Sequence, residues 1–333
     1  MKTNRLMLTT MALILITALT PFNATAQDKD KDKGKTQHED THLQINGREG
    51  TTHLVRRSSE DDVETDFNIK GVEFNEDYTD VVSISVGGYL DLRETRRGIR
   101  RKLSIESDAS GRLVRTFAVQ GETRPFEPEG RAWLTTVLRD MVESGFDAKQ
   151  RVARIYKQRG AEGVLNAART LKGSYARSTY LKLLLAQEKP SDETVARILS
   201  FAAREQFSDY ERATLLNALV REHLSGSRGR KEFFEAVSRL QSDYERSRVL
   251  LPVVRRIDLA DEWTIEAVKA VSAGSSDYEK ARVLLAAVTG ARPRSETVRA
   301  AVIEAATRLT SDYERNRVIK AVMQTKTGAT SVL

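Results

Sequence analysis

One tetrapeptide, written four times at near-constant spacing, constrains this chain more than any other feature. Ser208-Asp209-Tyr210-Glu211, Ser242-Asp243-Tyr244-Glu245, Ser276-Asp277-Tyr278-Glu279 and Ser311-Asp312-Tyr313-Glu314 are identical, and Gly173-Ser174-Tyr175-Ala176 is a degenerate fifth copy. The tyrosines are 35, 34, 34 and 35 residues apart, and Phe146 marks a candidate eroded copy. A fixed period of this length means that each unit is one supersecondary element, which must stack on its neighbours to bury its apolar face.

The tetrapeptide reads as a helix start. Ser at the N-cap with Glu three residues on is a capping box, in which the hydroxyl accepts the third amide and the Glu reaches back to the N-cap amide. Asp at the first helical position suits the positive end of the helix dipole. Apolar residues follow at five, six, nine and ten positions beyond each tyrosine: Leu215, Leu216, Leu219 and Val220; Val249, Leu250, Val253 and Val254; Val283, Leu284, Ala287 and Val288; Val318, Ile319, Val322 and Met323. These form one helical stripe repeated four times. A second helix precedes each box, with stripes Val195-Ile198-Leu199-Ala202, Phe233-Phe234-Val237-Leu240, Ile265-Val268-Val271 and Val298-Val302-Ala305-Leu309. Pro190, Gly226, Gly229, Gly290 and Pro293 punctuate the connections. Two helices per repeat predict an α-solenoid of HEAT-like pairs over residues 128–325, with a flexible tail at 326–333. The period equals that of tetratricopeptide repeats, but their Trp, Gly and Pro signature is missing.

In register, Tyr175, Tyr210, Tyr244, Tyr278 and Tyr313 form a ladder, with Arg177, Arg212, Arg246, Lys280 and Arg315 beside it. Identical residues in a repeat protein mostly solve the stacking problem common to every unit. The tyrosines are therefore expected to wedge between adjacent helix pairs, and the basic residues to meet carboxylates of the next repeat. The competing reading is a binding groove, because Tyr and Arg are enriched at interface hot spots.

Ahead of the repeats the apolar period changes to two. Val82, Ile84 and Val86 alternate with serines, Ile99, Leu103 and Ile105 with Arg100, Lys102 and Ser104, and Leu113, Phe117 and Val119 share one face. Asn46-Gly47, Gly87-Gly88, Arg97-Gly98, Asp108–Gly111 and Gly121 read as turns, and Leu43–Ile45, Thr52–Arg56 and Phe67–Phe74 as further strands. Residues 43–127 are thus predicted to form an antiparallel β-rich domain, making the chain α+β. Arg93, Arg96, Arg97, Arg100, Arg101, Lys102, Arg112 and Arg115 crowd this region. An ordinary charged sheet surface accounts for them. The functional alternative is an anionic component of the cell envelope.

Residues 1–26 have the pattern of a secretory signal: Lys2 and Arg5, an apolar stretch Leu6–Leu19, and Ala24-Thr25-Ala26 as a small-residue cleavage site. The apolar run is short of the ~20 residues that span a bilayer. Residues 27–42, rich in alternating Asp and Lys, are expected to be a disordered tether. The chain has no cysteine, which excludes disulfides, thiolate zinc sites, a thiol nucleophile and a lipidated cysteine. The expectation is an exported protein, periplasmic or extracellular in a bacterium, with no membrane span after cleavage.

Catalytic patterns are sparse. His38-Glu39-Asp40-Thr41-His42 fits the zinc metallopeptidase sequence H-E-x-x-H. That motif works on a stable helix, and its flanks here offer no apolar helical face. His38 and His42 are therefore weak metal candidates. His53 and His223 have no partner in sequence for acid–base work, and no phosphate loop or nucleophile elbow is present. No catalytic residue and no cofactor is expected. Aromatic platforms for nucleic acid are few, so none is expected as a partner.

The run Val82-Ser83-Ile84-Ser85-Val86-Gly87-Gly88-Tyr89-Leu90, then Gly111-Arg112-Leu113, Pro125-Phe126 and Gly130-Arg131-Ala132-Trp133-Leu134, followed by the Ser-Asp-Tyr-Glu repeats, resembles a bacterial extracytoplasmic region. That region lies C-terminal to some antirepressor-type, beta-lactam-sensor-like membrane metallopeptidases. The resemblance covers about residues 68–325. It implies a sensory or interaction role at the envelope, without the peptidase activity, because their transmembrane bundle and metal-binding helix have no counterpart here. The expected function is a non-enzymatic scaffold or sensor that binds a protein or peptide on its helical surface. A metal-dependent hydrolase using the tether histidines, and an envelope structural protein using the basic sheet, are the alternatives.

Overall fold

The computed structural model describes residues 41–48, 51–58, 62–187, 190–224, 229–289 and 295–328. The signal segment, most of the tether and His38 lie outside the described residues. From Asp40 on the chain is one compact unit. It is α+β: an antiparallel sheet followed by stacked helix pairs.

The sheet is a meander of seven strands paired in sequence order: β1 (Thr41–Arg48), β2 (Thr51–Ser58), β3 (Val63–Phe74), β4 (Val81–Arg96), β5 (Ile99–Ser107), β6 (Leu113–Val119) and the short β7 (Glu122–Arg124). Alternation decides which face is inward. Leu54, Phe67, Leu90, Leu92, Leu103, Ile105 and Phe117 lie on one face and are fully buried. Arg97-Gly98 is a two-residue turn with both φ positive, as the right-handed twist of a hairpin requires. Two expected turns are strand instead. Asn46 and Gly47 pair with His53 and Thr52 inside β1–β2. Gly87 and Gly88 lie within β4, at a bulge where the register against β3 shifts between Lys70 and Val72. A Cβ at Gly88 would sit 2.5 Å from the Lys70 carbonyl, so the glycine permits a close backbone approach there. A second register shift, between Glu73 and Phe74, passes over Val82, and both Val82 and Val86 are exposed despite the apolar alternation. Strand β1 starts at Thr41, so the tether ends two residues before the boundary expected for it.

Eleven α-helices follow among the described residues: α1 (Arg131–Glu143), α2 (Ala148–Thr170), α3 (Ser174–Leu185), α4 (Asp192–Arg204), α5 (Asp209–Glu222), α6 (Arg230–Ser238), α7 (Asp243–Arg255), α8 (Asp261–Ser272), α9 (Asp277–Val288), α10 (Glu296–Thr307) and α11 (Asp312–Gly328). The last helix runs through Gly328, three residues into the segment expected as a tail. Helix α1 packs on the inner sheet face, with Trp133 against Phe117. The Trp133 indole N–H donates to Glu94, a carboxylate 3% exposed that also meets Arg96, and Arg96 reaches Asp140 on α1. Phe146 is buried against Phe67 and Phe74 of the sheet. It therefore belongs to the sheet–helix core and is not an eroded copy of the exposed repeat tyrosine.

Helices α3, α5, α7, α9 and α11 stack as one layer and α4, α6, α8 and α10 as the other. The apolar stripes face between the layers, and those of α5, α7 and α9 are buried throughout. Each repeat Ser accepts from the amide of the Glu three residues on, at 3.3 Å in all four copies. The other half of the capping box is replaced by a bond between repeats. Asp209 Oδ2 accepts from the amides of Gln241 and Ser242 at 2.8 and 2.6 Å. Asp243 Oδ2 does the same for Ser275 and Ser276 at 2.8 and 2.7 Å, and Asp277 Oδ2 for Thr310 and Ser311, both at 2.7 Å. Ser174, standing where the others carry Asp, accepts the Ser208 amide at 3.0 Å. One unit earlier, Glu143 at the end of α1 accepts the amides of Lys172 and Gly173. A Cβ at Gly274 would meet Asp243 Oδ1 at 2.4 Å, so this glycine gives the carboxylate room.

The carboxylates show the same bonding in their acidity. The Thr310 hydroxyl, with the Thr310 and Ser311 amides, holds Asp277 down to about 2. Burial works to raise Asp243, but the Ser276 amide, Ser275 and Arg246 overcome it and leave it below its ordinary value. A carboxylate depressed on folding stabilises the fold above its ordinary value and loses that contribution as pH falls toward the folded one. Asp243→Ala should cost about 2–3 kcal/mol, the worth of hydrogen bonds to a charged group, by urea unfolding at neutral pH. The parent's melting temperature should fall more steeply than that of the Asp243→Ala/Asp277→Ala double variant as pH drops from about 4 to about 2.

Candidate functional site

The repeated residues separate into those the stack consumes and those it leaves outside. Ser and Asp are consumed by the caps and clasps described above. The Arg two residues after each tyrosine is consumed as well. Arg212, 6% exposed, donates from Nε to Ala202 O and from its two terminal nitrogens to Glu205 O and Arg239 O. Burial lowers its pKa from the ordinary arginine value. Arg177 donates to Leu171 O and Gln206 O, Arg246 to Leu240 O and Asp243, and Arg315 to Leu309 O. These guanidinium groups cap carbonyls at or just past the C-terminal end of the preceding helix, which have no partner within that helix, and Arg177 and Arg212 also reach Gln206 O and Arg239 O one repeat further on. Lys280, a point charge without a fork, meets Asp277 at 3.2 Å. The expected contacts with carboxylates of the next repeat are thus replaced by carbonyl caps and by ion pairs within the same turn.

The tyrosines go the other way. Tyr175, Tyr210, Tyr244, Tyr278 and Tyr313 are 53, 58, 55, 57 and 70% exposed. The second helical position points outward when the clasp and the apolar stripe already fix the rotation of the helix. The expected wedge between helix pairs is not formed, and the rings stand at the N-termini of five successively stacked helices.

A second arginine, missed in the sequence reading, accompanies three of them. Arg248, Arg282 and Arg317 stand four residues after Tyr244, Tyr278 and Tyr313, whereas Thr179 and Thr214 hold the corresponding places after Tyr175 and Tyr210. Arg282 lies over Tyr278 and Arg317 over Tyr313, 5.7 and 5.5 Å from the ring centroids, and Arg248 lies 5.1 Å over Tyr210 of the preceding repeat. Each is held by the capping-box glutamate: Arg248 to Glu245 at 2.6 Å, Arg282 to Glu279 and Arg317 to Glu314 at 2.7 Å. The glutamates are largely buried, while the arginines keep 31, 34 and 40% of their side chains exposed. The edge of the stack therefore presents aromatic rings with guanidinium groups fixed beside them. The common +4 offset in three repeats was the available signal.

The eight basic residues of the sheet do not form one surface. Arg96, Arg101 and Arg115 point to the inner face and meet Asp140, Glu129 and Asp80. Arg97 is in a turn, and Arg112 is tied to Asp108 in another. Arg93, Arg100 and Lys102 remain outside, where Arg93 pairs across the strands with both Lys102 and Asp66. Alternation along a strand puts neighbours in sequence on opposite faces, which is why the cluster divides.

The H-E-x-x-H pentapeptide lies outside the described residues up to Asp40. Thr41 and His42 are in β1, paired with Ser58 and Arg57, so the helix that this motif needs is not formed there. Among the described residues no group of three His, Asp or Glu side chains is placed to hold a metal. His53 meets Asp66 at 3.1 Å on the outer sheet face, and His223 follows the last turn of α5. No described helix is long and apolar enough to cross a membrane. Comparisons with protein-family models, curated proteins and solved structures give no match.

Exposed and buried members of one motif should respond differently to truncation. Tyr244→Ala should change unfolding free energy by no more than about 0.5 kcal/mol, as for other surface positions. Arg246→Ala, two residues away, should cost about 1.5–3 kcal/mol by leaving a buried carbonyl without its charged donor. Urea unfolding of both variants checks the contrast.

Proposed function

We propose that this chain is an exported, non-enzymatic envelope protein that binds a protein or peptide partner along its tyrosine–arginine edge. One observation carries the reading: the tyrosine is the repeated residue whose ring the stack leaves more than half exposed. Ser, Asp and the basic residue after Glu have structural partners in each full copy, as does Glu in three of them, whereas five rings remain more than half exposed. Rings and guanidinium groups are the side chains most often found at the energetic centre of interfaces.

Helices that pack in a layer stand about 8–10 Å apart, and an extended peptide advances about 3.3 Å per residue. Three residues of an extended partner would then span one repeat, so the same contact recurs along the ligand. Contacts of this kind accumulate avidity without any single one being strong. The sheet is, in this reading, the end piece on which the stack is built. An anionic envelope surface as partner has less support, because only Arg93, Arg100 and Lys102 of the eight basic residues share the outer strand face.

The test is capture from envelope extract by the immobilised chain, with a Tyr210→Ala/Tyr244→Ala/Tyr278→Ala variant as control. The parent is expected to retain a partner, identified by mass, that the triple variant loses while melting at the same temperature. Equal capture by both proteins, or none by either, would sink the proposal.

A further inference from the structure

A second constellation lies where the β3–β4 connection meets the start of α2. Tyr78 and Asp147 both occupy the left-handed backbone region, at φ +54 and +53. Few residues with a Cβ adopt that conformation, and a bulky one held there is strained, a condition that clusters at ligand sites. The two side chains meet, with the Tyr78 hydroxyl donating to the Asp147 carboxylate. Arg151 and Arg154, one turn apart on α2, lie over the same Tyr78 ring at 4.6 and 5.5 Å from its centroid. Burial, then the bond to Asp147, raises the Tyr78 hydroxyl above its ordinary value. Burial also raises the Asp147 carboxyl, against the pull of Tyr78, Arg154 and Arg151.

Arg154, Asp147 and Tyr78 border a cleft of about 430 Å³, and Arg151, whose buried Nη1 has no hydrogen-bond partner, stands outside its lining. Ile69, Val72, Phe74 and Phe146 supply its apolar wall, and Gln150 and Arg154 its polar one. Glu73 also borders it, but its carboxylate is engaged by the Ser83 hydroxyl at 2.8 Å. A concave site with an apolar wall, a few convergent polar groups and a strained rim has the composition of a small-molecule pocket.

We propose that this cleft binds a small carboxylate with an apolar body, the carboxylate on the Arg154 side and the body against Phe74 and Phe146. The Arg154 guanidinium fork matches the two oxygens of a carboxylate, and the two carboxylates that border the cleft, Glu73 and Asp147, already accept from the Ser83 and Tyr78 hydroxyls. The site is independent of the tyrosine edge and stands or falls separately from it.

Titration calorimetry of the full chain with octanoate, octanol and inorganic phosphate tests both halves of the assignment. Octanoate is expected to bind at least about tenfold more tightly than either, a difference on the scale of one charge-assisted hydrogen bond. Arg154→Gln keeps most of the stem and removes the charge, and Gln150→Glu places a like charge on the exposed wall. Each should weaken octanoate by about tenfold or more. Arg159→Gln, whose partner Glu76 lies outside the cleft, should leave binding unchanged. No binding of octanoate overturns the proposal, as does equal affinity for octanol or phosphate. Octanoate affinity unaltered in both cleft variants, or in Gln150→Glu where Arg154→Gln does not fold, overturns it as well.

Discussion

The carboxylate of each repeat aspartate but the last sits where two helices would otherwise leave amides without partners. It lies at the first position of its own helix, where negative charge is favoured, and accepts the two amides that open the next repeat's second helix. One side chain thus serves two helix starts, and it does so 32–34 residues along the chain. The period of the sequence follows from this geometry, because the clasp closes only when successive units present their N-termini in the same register. It also explains the reversal within the capping box. With the N-cap amide already occupied by the preceding repeat, the glutamate has no reason to turn back, and it is free to hold an arginine three residues ahead.

The clasps form a line that begins outside the repeats proper. Glu143 at the end of α1 makes the first contact, the Ser174 hydroxyl the second, and three aspartates the rest. Helix α1 is itself fixed to the sheet by Trp133, Glu94, Arg96 and Asp140, so the sheet sets the starting orientation that every later unit inherits. A repeat stack depends on nearest-neighbour contacts, and an isolated first unit would have one face uncovered. The sheet's buried ion network supplies that cover. At the other end Asp312 is 83% exposed and pairs only locally with Arg315 among the contacts described. The stripe of α11 opens with it, since Met323 is exposed where Val220 and Val254 are buried.

Period and polarity made the helix pairs legible in the sequence, and three of the four apolar stripes are buried where their spacing placed them, the fourth losing Met323 to the surface. The strands were legible in the same way, apart from Gly87-Gly88 and Asn46-Gly47. Glycine pairs signal a special backbone conformation, and a bulge or close approach satisfies that as well as a turn. What the sequence could not separate was the use to which a repeated residue is put. Tyrosine and arginine recur at the same spacing, yet one ends exposed and the other buried, because rotation of the helix about its axis is settled by the clasp and not by propensity. Tyr78 and Asp147 left no signal at all. They are 69 residues apart in the chain and belong to no periodic pattern, and only the docking of α2 on the β3–β4 connection brings them together.

The same economy shapes the exposed edge. A surface arginine normally loses much rotamer freedom when it binds. Here a largely buried glutamate restrains Arg248, Arg282 and Arg317 in advance, and the rings on which they rest have only two side-chain torsions to fix. The cost of ordering the contact groups is therefore partly met by folding, and it is met once per repeat by the residues that already start the helix. A partner of the kind proposed would meet groups held in position, and weak single contacts would add along its length. The stack and its exposed edge are in this way written into one heptapeptide, Ser-Asp-Tyr-Glu-Arg/Lys-x-Arg. Its first, second, fourth and fifth residues build the stack, while its third and seventh remain outside, at spacings that the stack dictates.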